Sequence, residues 1–83
     1  MNHRVEVIVG QRCRSCDEAE ALWGAIAKEL GVNIAVRRID ADDKAGAGVT
    51  ALPVLHVDGR AIAVGVPTPA RARELLERAL TTP

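Results

Sequence analysis

Polar and apolar positions change their spacing several times along the chain, and each change marks an element. From Arg4 to Val9, Val5, Val7 and Val9 alternate with Glu6 and Ile8, the period-two pattern of a β-strand rich in β-branched residues. Gly10 to Arg12 interrupts it as a turn. Between Arg14 and Leu30 the spacing becomes helical: Ala19, Leu22, Trp23, Ile26 and Leu30 fall on one face, while Asp17, Glu18, Lys28 and Glu29 fall elsewhere. Acidic residues crowd the first turns and Gly31 ends the helix. Val32 to Ile39 predicts a second strand, and so tight a strand–helix–strand succession predicts a parallel, right-handed crossover. Residues 40–48, polar and glycine-rich, read mostly as loop. Val54–Val57 and Ala61–Val64 then predict two strands about the turn signal Asp58-Gly59-Arg60. Thr68-Pro69 opens a last helix with a capping hydroxyl and a proline at the first helical position, and its apolar stripe is Ala72, Leu75, Leu76, Ala79 and Leu80. The order β-α-β, loop, β-β, α predicts an α/β fold with a four-stranded mixed sheet covered by helices.

Composition narrows this picture. Eighty-three residues supply one core, so residues 1–83 are expected to form a single domain. Trp23 is the only aromatic residue of the chain, so the core must be built from aliphatic side chains and alanine. Eleven basic residues balance eleven acidic ones. With no long basic run and no aromatic platform, nucleic acid is not an expected partner. The opening MNHRVEVIVG lacks the pattern of a secretory signal, and no apolar run approaches membrane-spanning length. The expectation is a cytoplasmic protein without a membrane partner, and in a reducing compartment two cysteines point to redox or metal chemistry rather than to a structural staple.

Those two cysteines, Cys13 and Cys16, lie in GQRCRSCDEAEAL, between the first strand and the first helix. Cys13 falls where backbone N–H groups point outward unpaired and the helix dipole is positive, which favours a thiolate, the species that attacks disulfides. Arg12 and Arg14 flank it and act in the same direction, whereas Asp17 and Glu18 oppose them. Cys16, one turn further in, is expected to be the more covered, resolving thiol. Of the metal readings, zinc held within one chain is not expected, while a soft-metal carrier and a shared cluster stay open. Zinc requires four ligands, and only terminal His3 and strand-borne His56 accompany the thiolates. A carrier of a soft ion such as Cu(I) needs only the thiolate pair, and two chains sharing an Fe–S cluster is a third possibility.

The same residues resemble the thioredoxin-like family over nearly the whole length. The opening strand followed by Cys-Arg-Ser-Cys resembles the family's active-site motif. GVTALPVL at 48–55 is similar to its proline-bearing segment, and VDGRAIAVG to the hairpin that follows, with Gly65 closing the second strand. The resemblance implies a minimal thioredoxin-like fold and a protein-disulfide oxidoreductase or electron carrier, with Cys13 and Cys16 catalytic and no cofactor. It also implies a cis Pro53 facing the dithiol. A proline there donates no ladder hydrogen bond and leaves the Leu52 backbone free to pair with a substrate strand. The substrate-binding positions are therefore Leu52 and Pro53, with Arg12 and Arg14 as a basic rim. The expected partners are a disulfide-containing protein and an upstream thiol reductase or reductant, met by a monomer. This chain departs from the family in several places. Arg12 stands where thioredoxins usually carry tryptophan, and Arg14-Ser15 replaces the usual Gly-Pro. The Gly-Gly and acidic residue by which glutaredoxins hold glutathione are missing from VGVPTP, so glutathione binding is not expected. Trp23 is expected to be core filler, and Glu6 is a position whose burial bears on proton transfer.

Overall fold

A computed structural model describes residues 3–40, 43, 49 and 51–81. The elements follow the predicted order: β1 (Val5–Val9), α1 (Arg14–Leu30), β2 (Ala35–Arg38), β3 (Val54–Val57), β4 (Arg60–Val64) and α2 (Pro69–Thr81). The four strands form one sheet in the order β2-β1-β3-β4. β1 runs parallel to β2 and antiparallel to β3, and β3 is antiparallel to β4. This is an α/β, minimal thioredoxin-like architecture. All of the predicted 40–48 loop except Asp40 and Asp43 lies outside the described residues. Those two are joined by a bond from the Asp43 N–H to the Asp40 carbonyl, 2.9 Å.

The two central strands carry the core. Val5, Val7 and Val9 point to one face, where they pack with Cys16, Ala19, Trp23 and Ile26 of α1, Leu55 and Val57 of β3, and Ala72 and Leu76 of α2. Both helices thus lie on the same side of the sheet, a detail that strand and helix periodicities do not contain. The opposite face holds a smaller cluster of Ile8, Ile39, Val49 and Val54, with Leu52 packed against it. Trp23 is 1% exposed and fills the core, as expected.

Three local devices set where the elements begin and end. The N–H of Val32 reaches the Ala27 carbonyl at 3.0 Å and that of Gly31 reaches Lys28 at 3.2 Å, with Gly31 at φ 70°. This pair of bonds closes α1 and commits the Val32 amide to the helix. It helps explain why the second strand starts at Ala35 rather than at the predicted Val32. At its other end the regular strand runs to Arg38, and the Ile39 N–H still reaches the Val9 carbonyl of β1 at 3.0 Å, so the ladder's last bond falls at the predicted Ile39. Asp58 and Gly59 both have positive φ, 54° and 81°, as a two-residue type I′ hairpin loop requires. An irregularity between Leu55 and His56 leaves Ile62 as the extra residue of β4, so that adjacent Ile62 and Ala63 both pack towards the helix-side core. At the start of α2 the Thr68 hydroxyl accepts from the Arg71 N–H at 3.3 Å, the predicted cap.

Candidate active site

The site is built at the C-terminal end of β1. After Val9 the chain turns through Gly10, Gln11 and Arg12 into α1. Arg12 takes the left-handed conformation, φ 52°, although it has a Cβ. This reverses the chain so that Cys13, in extended geometry (φ −127°, ψ 108°), becomes the residue capping α1. Gln11 fixes the turn from outside by donating from Nε2 to the Asp40 carboxylate at 3.0 Å. The Asp17 N–H reaches the Cys13 carbonyl at 3.1 Å, the first bond of the helix.

Cys13 and Cys16 are joined by a disulfide, with Cα atoms 5.1 Å apart. Their surroundings differ. Cys16 is 1% exposed and belongs to the helix-side core, whereas Cys13 is half-buried at its edge. Each sulfur accepts a backbone N–H. That of Cys16 donates to Cys13 Sγ at 3.1 Å, where a capping residue usually offers oxygen, and that of Gly10 donates to Cys16 Sγ at 3.3 Å. Ser15 Oγ lies 3.4 Å from Cys13 Sγ. Donors are therefore aimed at both sulfurs, an arrangement that favours thiolate character on whichever sulfur is released.

The proline segment approaches from the other side. The Leu52–Pro53 bond is cis, and the Gly65 N–H donates to the Pro53 carbonyl at 2.9 Å. Leu52 reaches the dithiol loop itself: a Cβ on Gly10 would lie 3.1 Å from Leu52 Cδ1. Gly10 thus lets the chain around Leu52 close on the residue whose amide meets Cys16. Val64 and Val66, on either side of Gly65, are exposed. Arg12 and Arg14 are exposed, and neither makes a polar contact among the described residues.

The sequence-derived positions thus converge in part. Cys16, joined to Cys13, and Leu52 both meet Gly10, Pro53 follows Leu52 in the chain, and Arg12 and Arg14 are exposed on either side of Cys13 in the chain. Glu6 does not join them. It lies opposite His56 on the sheet face away from the helices, with its carboxylate 3.5 Å from Arg4 Nε. The metal alternatives gain no further ligand here. His3 Nδ1 is 2.6 Å from Asp58 at the far end of β1, and His56 is buried in β3. Among the described residues no three His, Cys, Asp or Glu side chains gather as a metal site. No helix among them is long and apolar enough to cross a membrane. Sequence reasoning does not single out Gly10 or the exposed Val64 and Val66. The signal for Gly10 is a glycine at the strand's end, and for the valines an apolar pair astride a glycine.

Comparison with known proteins agrees with this geometry. The fold matches thioredoxin from Trypanosoma brucei brucei with a TM-score of 0.70 at 19% identity, covering 98% of this chain and 77% of that one. Fasciola hepatica thioredoxin matches with a TM-score of 0.68 at 26% identity, over 94% and 81%. A malarial protein is matched over its full length and 98% of this chain, at 16% identity and a TM-score of 0.66. No curated protein matches in sequence. The thioredoxin-domain family model matches residues 3–77, and with its cis proline and Cys13–Cys16 disulfide the chain belongs to the thioredoxin family.

Proposed function

We propose that this protein is a thiol–disulfide oxidoreductase or electron carrier that acts on disulfide-bearing substrates. The observation that carries the reading is the asymmetry of the pair: a disulfide at a helix N-terminus with Cys13 accessible, Cys16 buried, and an amide donor on each sulfur. In the reduced protein the Cys13 thiolate attacks one sulfur of a substrate disulfide. A Cys13–substrate S–S bond forms, the substrate bond breaks, and the first substrate sulfur leaves as a thiolate. Cys16, deprotonated, then attacks Cys13 Sγ and expels the second substrate thiolate. Two electrons have passed from the dithiol to the substrate, whose thiolates take protons from solvent. An upstream dithiol reductant reverses the exchange at Cys13, and Cys16 then leaves as a thiolate beside the Gly10 amide.

Leu52 serves this cycle by presenting backbone to an extended substrate segment, with Pro53, whose carbonyl already accepts from the Gly65 N–H, fixing the chain beside it, and Arg12 and Arg14 favour acidic residues in that segment. The test is reduction of insulin disulfides with dithiothreitol as electron source. Cys13→Ser is expected to lose the activity to background, and Cys16→Ser to accumulate a mixed disulfide with substrate. Full retention of activity in Cys13→Ser would falsify these roles.

A further inference from the structure

Resting on the oxidoreductase reading, we infer that the Ser15 hydroxyl is a hydrogen-bond donor to the reacting sulfur of Cys13 and sets how readily that sulfur is held as a thiolate. Ser15 Oγ lies 3.4 Å from Cys13 Sγ. Cys13 is in a disulfide and carries no proton, so the hydroxyl is the only possible donor of the pair. When the disulfide is reduced, the acceptor becomes an anion and the contact becomes charge-assisted, which strengthens it relative to the disulfide state. The Cys16 N–H, 3.1 Å from the same sulfur, is a backbone group that any residue at that position supplies. Ser15 supplies the side-chain donor, which a substitution can remove. It also lies in the first turn of α1 with its side chain exposed, so replacing it opens no hole in the core.

The other charged groups around Cys13 remain when Ser15 is changed. Arg12 and Arg14 flank it, Asp17 and Glu18 follow in the next turn, and Asp40 is held by Gln11. Residues 51–53, which close on the site from the other side, bring no titratable side chain. A change in the titration of Cys13 on removing the hydroxyl therefore reports on the hydroxyl.

The test compares the reduced parent with Ser15→Ala and Ser15→Thr, following iodoacetamide alkylation of Cys13 against pH and locating the label by peptide mass. Removing the donor in Ser15→Ala is expected to raise the alkylation midpoint by about half a pH unit, while Ser15→Thr, which keeps a hydroxyl, stays with the parent. Equilibrium of the oxidised protein with two glutathione molecules, giving dithiol and glutathione disulfide, supplies a second readout. Above both midpoints Ser15→Ala should favour the protein disulfide about threefold over the parent, and below both the two should coincide. A purely conformational effect of the substitution would shift that equilibrium equally at every pH. An unmoved Ser15→Ala midpoint, or equal displacement of the alanine and threonine variants, overturns the inference and leaves the oxidoreductase reading standing. If instead the parent fails to reduce insulin while the midpoints behave as expected, the donor role stands and the oxidoreductase reading falls.

Discussion

Two turns at opposite ends of β1 place a non-glycine residue in the left-handed region, and they use it differently. At the hairpin between β3 and β4, Asp58 has φ 54°, and its side chain compensates the backbone immediately. One carboxylate oxygen accepts from the Arg4 N–H at 2.8 Å, the other meets His3 at 2.6 Å, and its own N–H donates to the Arg4 carbonyl at 2.8 Å. Asp58 thereby ties the start of β1 to the hairpin. At the dithiol end Arg12 has φ 52°, yet its exposed side chain makes no polar contact among the described residues. Aspartate is among the few non-glycine residues that enter this region readily, and here its carboxylate is also held by Arg4 and His3; arginine has neither advantage. What Arg12 secures is the position of Cys13, which the reversed chain delivers to the first turn of α1. One unfavourable backbone conformation serves the fold and the other serves the site.

The comparison breaks most sharply at Gly10. If the dithiol end is close-fitted, a single methyl there should disturb it. Gly10→Ala places its Cβ 3.1 Å from Leu52 Cδ1, and Leu52 packs against both apolar clusters. Leu52 is only half-buried, so it can yield, and the expected cost is about 1 to 2 kcal/mol by chemical denaturation. Because the displaced residue belongs to the proposed substrate-binding segment, KM for a protein disulfide should rise more than kcat falls. Unchanged stability and kinetics would show that this end of the sheet is loose and that the Gly10–Leu52 contact does not position the site.

How far each end is legible in the sequence follows from the range of the interactions involved. The hairpin is readable because Asp58-Gly59 encodes its turn within two adjacent residues, and α1 because its periodic face and terminal Gly31 are local. The second strand reads as longer than it is because Val32 and Ile34 have the right residue types, while the Val32 amide is already committed to the helix end. The helices' shared side cannot be read, since the period of a helix says which of its faces is apolar but not which side of the sheet it covers. In the site, the cysteines and Pro53 are visible as a motif. The Gly10–Leu52 approach is not, because it joins residues distant in sequence, and Gly10 alone reads as an ordinary turn.

A smaller effect is expected at the hairpin end. Asp58→Gly keeps the positive φ without a Cβ penalty but removes both contacts of the carboxylate, so the thermal midpoint should fall at neutral pH. The Arg4 N–H, and then the hydrogen bond to His3, hold the Asp58 carboxyl below its ordinary value of 3.8, against an opposing effect of desolvation. A carboxyl lowered by folding contributes stability above its unfolded value and loses it as pH falls through the folded one. The gap between parent and variant should therefore be widest above pH 3.8 and narrow on acidification below it. A gap of constant size across that range would mean that the turn's conformation, not the carboxylate, is what Asp58 supplies.

The smallest change in stability belongs to Arg12, and there the comparison is most discriminating. Arg12→Gly releases the left-handed penalty, roughly 1 kcal/mol, but gives the unfolded chain more freedom, a loss of similar size. The net effect should lie within about 0.5 kcal/mol of zero, in contrast to the drop expected from the same replacement at Asp58. Function should separate the two positions in the opposite sense. Removing one of the two arginines that flank Cys13 weakens attraction for an acidic substrate segment, so KM for an acidic disulfide peptide should rise severalfold at low ionic strength. The difference should shrink as added salt screens the exposed charge. A neutral disulfide peptide, handled equally by parent and Arg12→Gly, is the control that assigns the effect to charge. If both peptides weaken together, the left-handed arginine matters for placing Cys13 and not for choosing its partner.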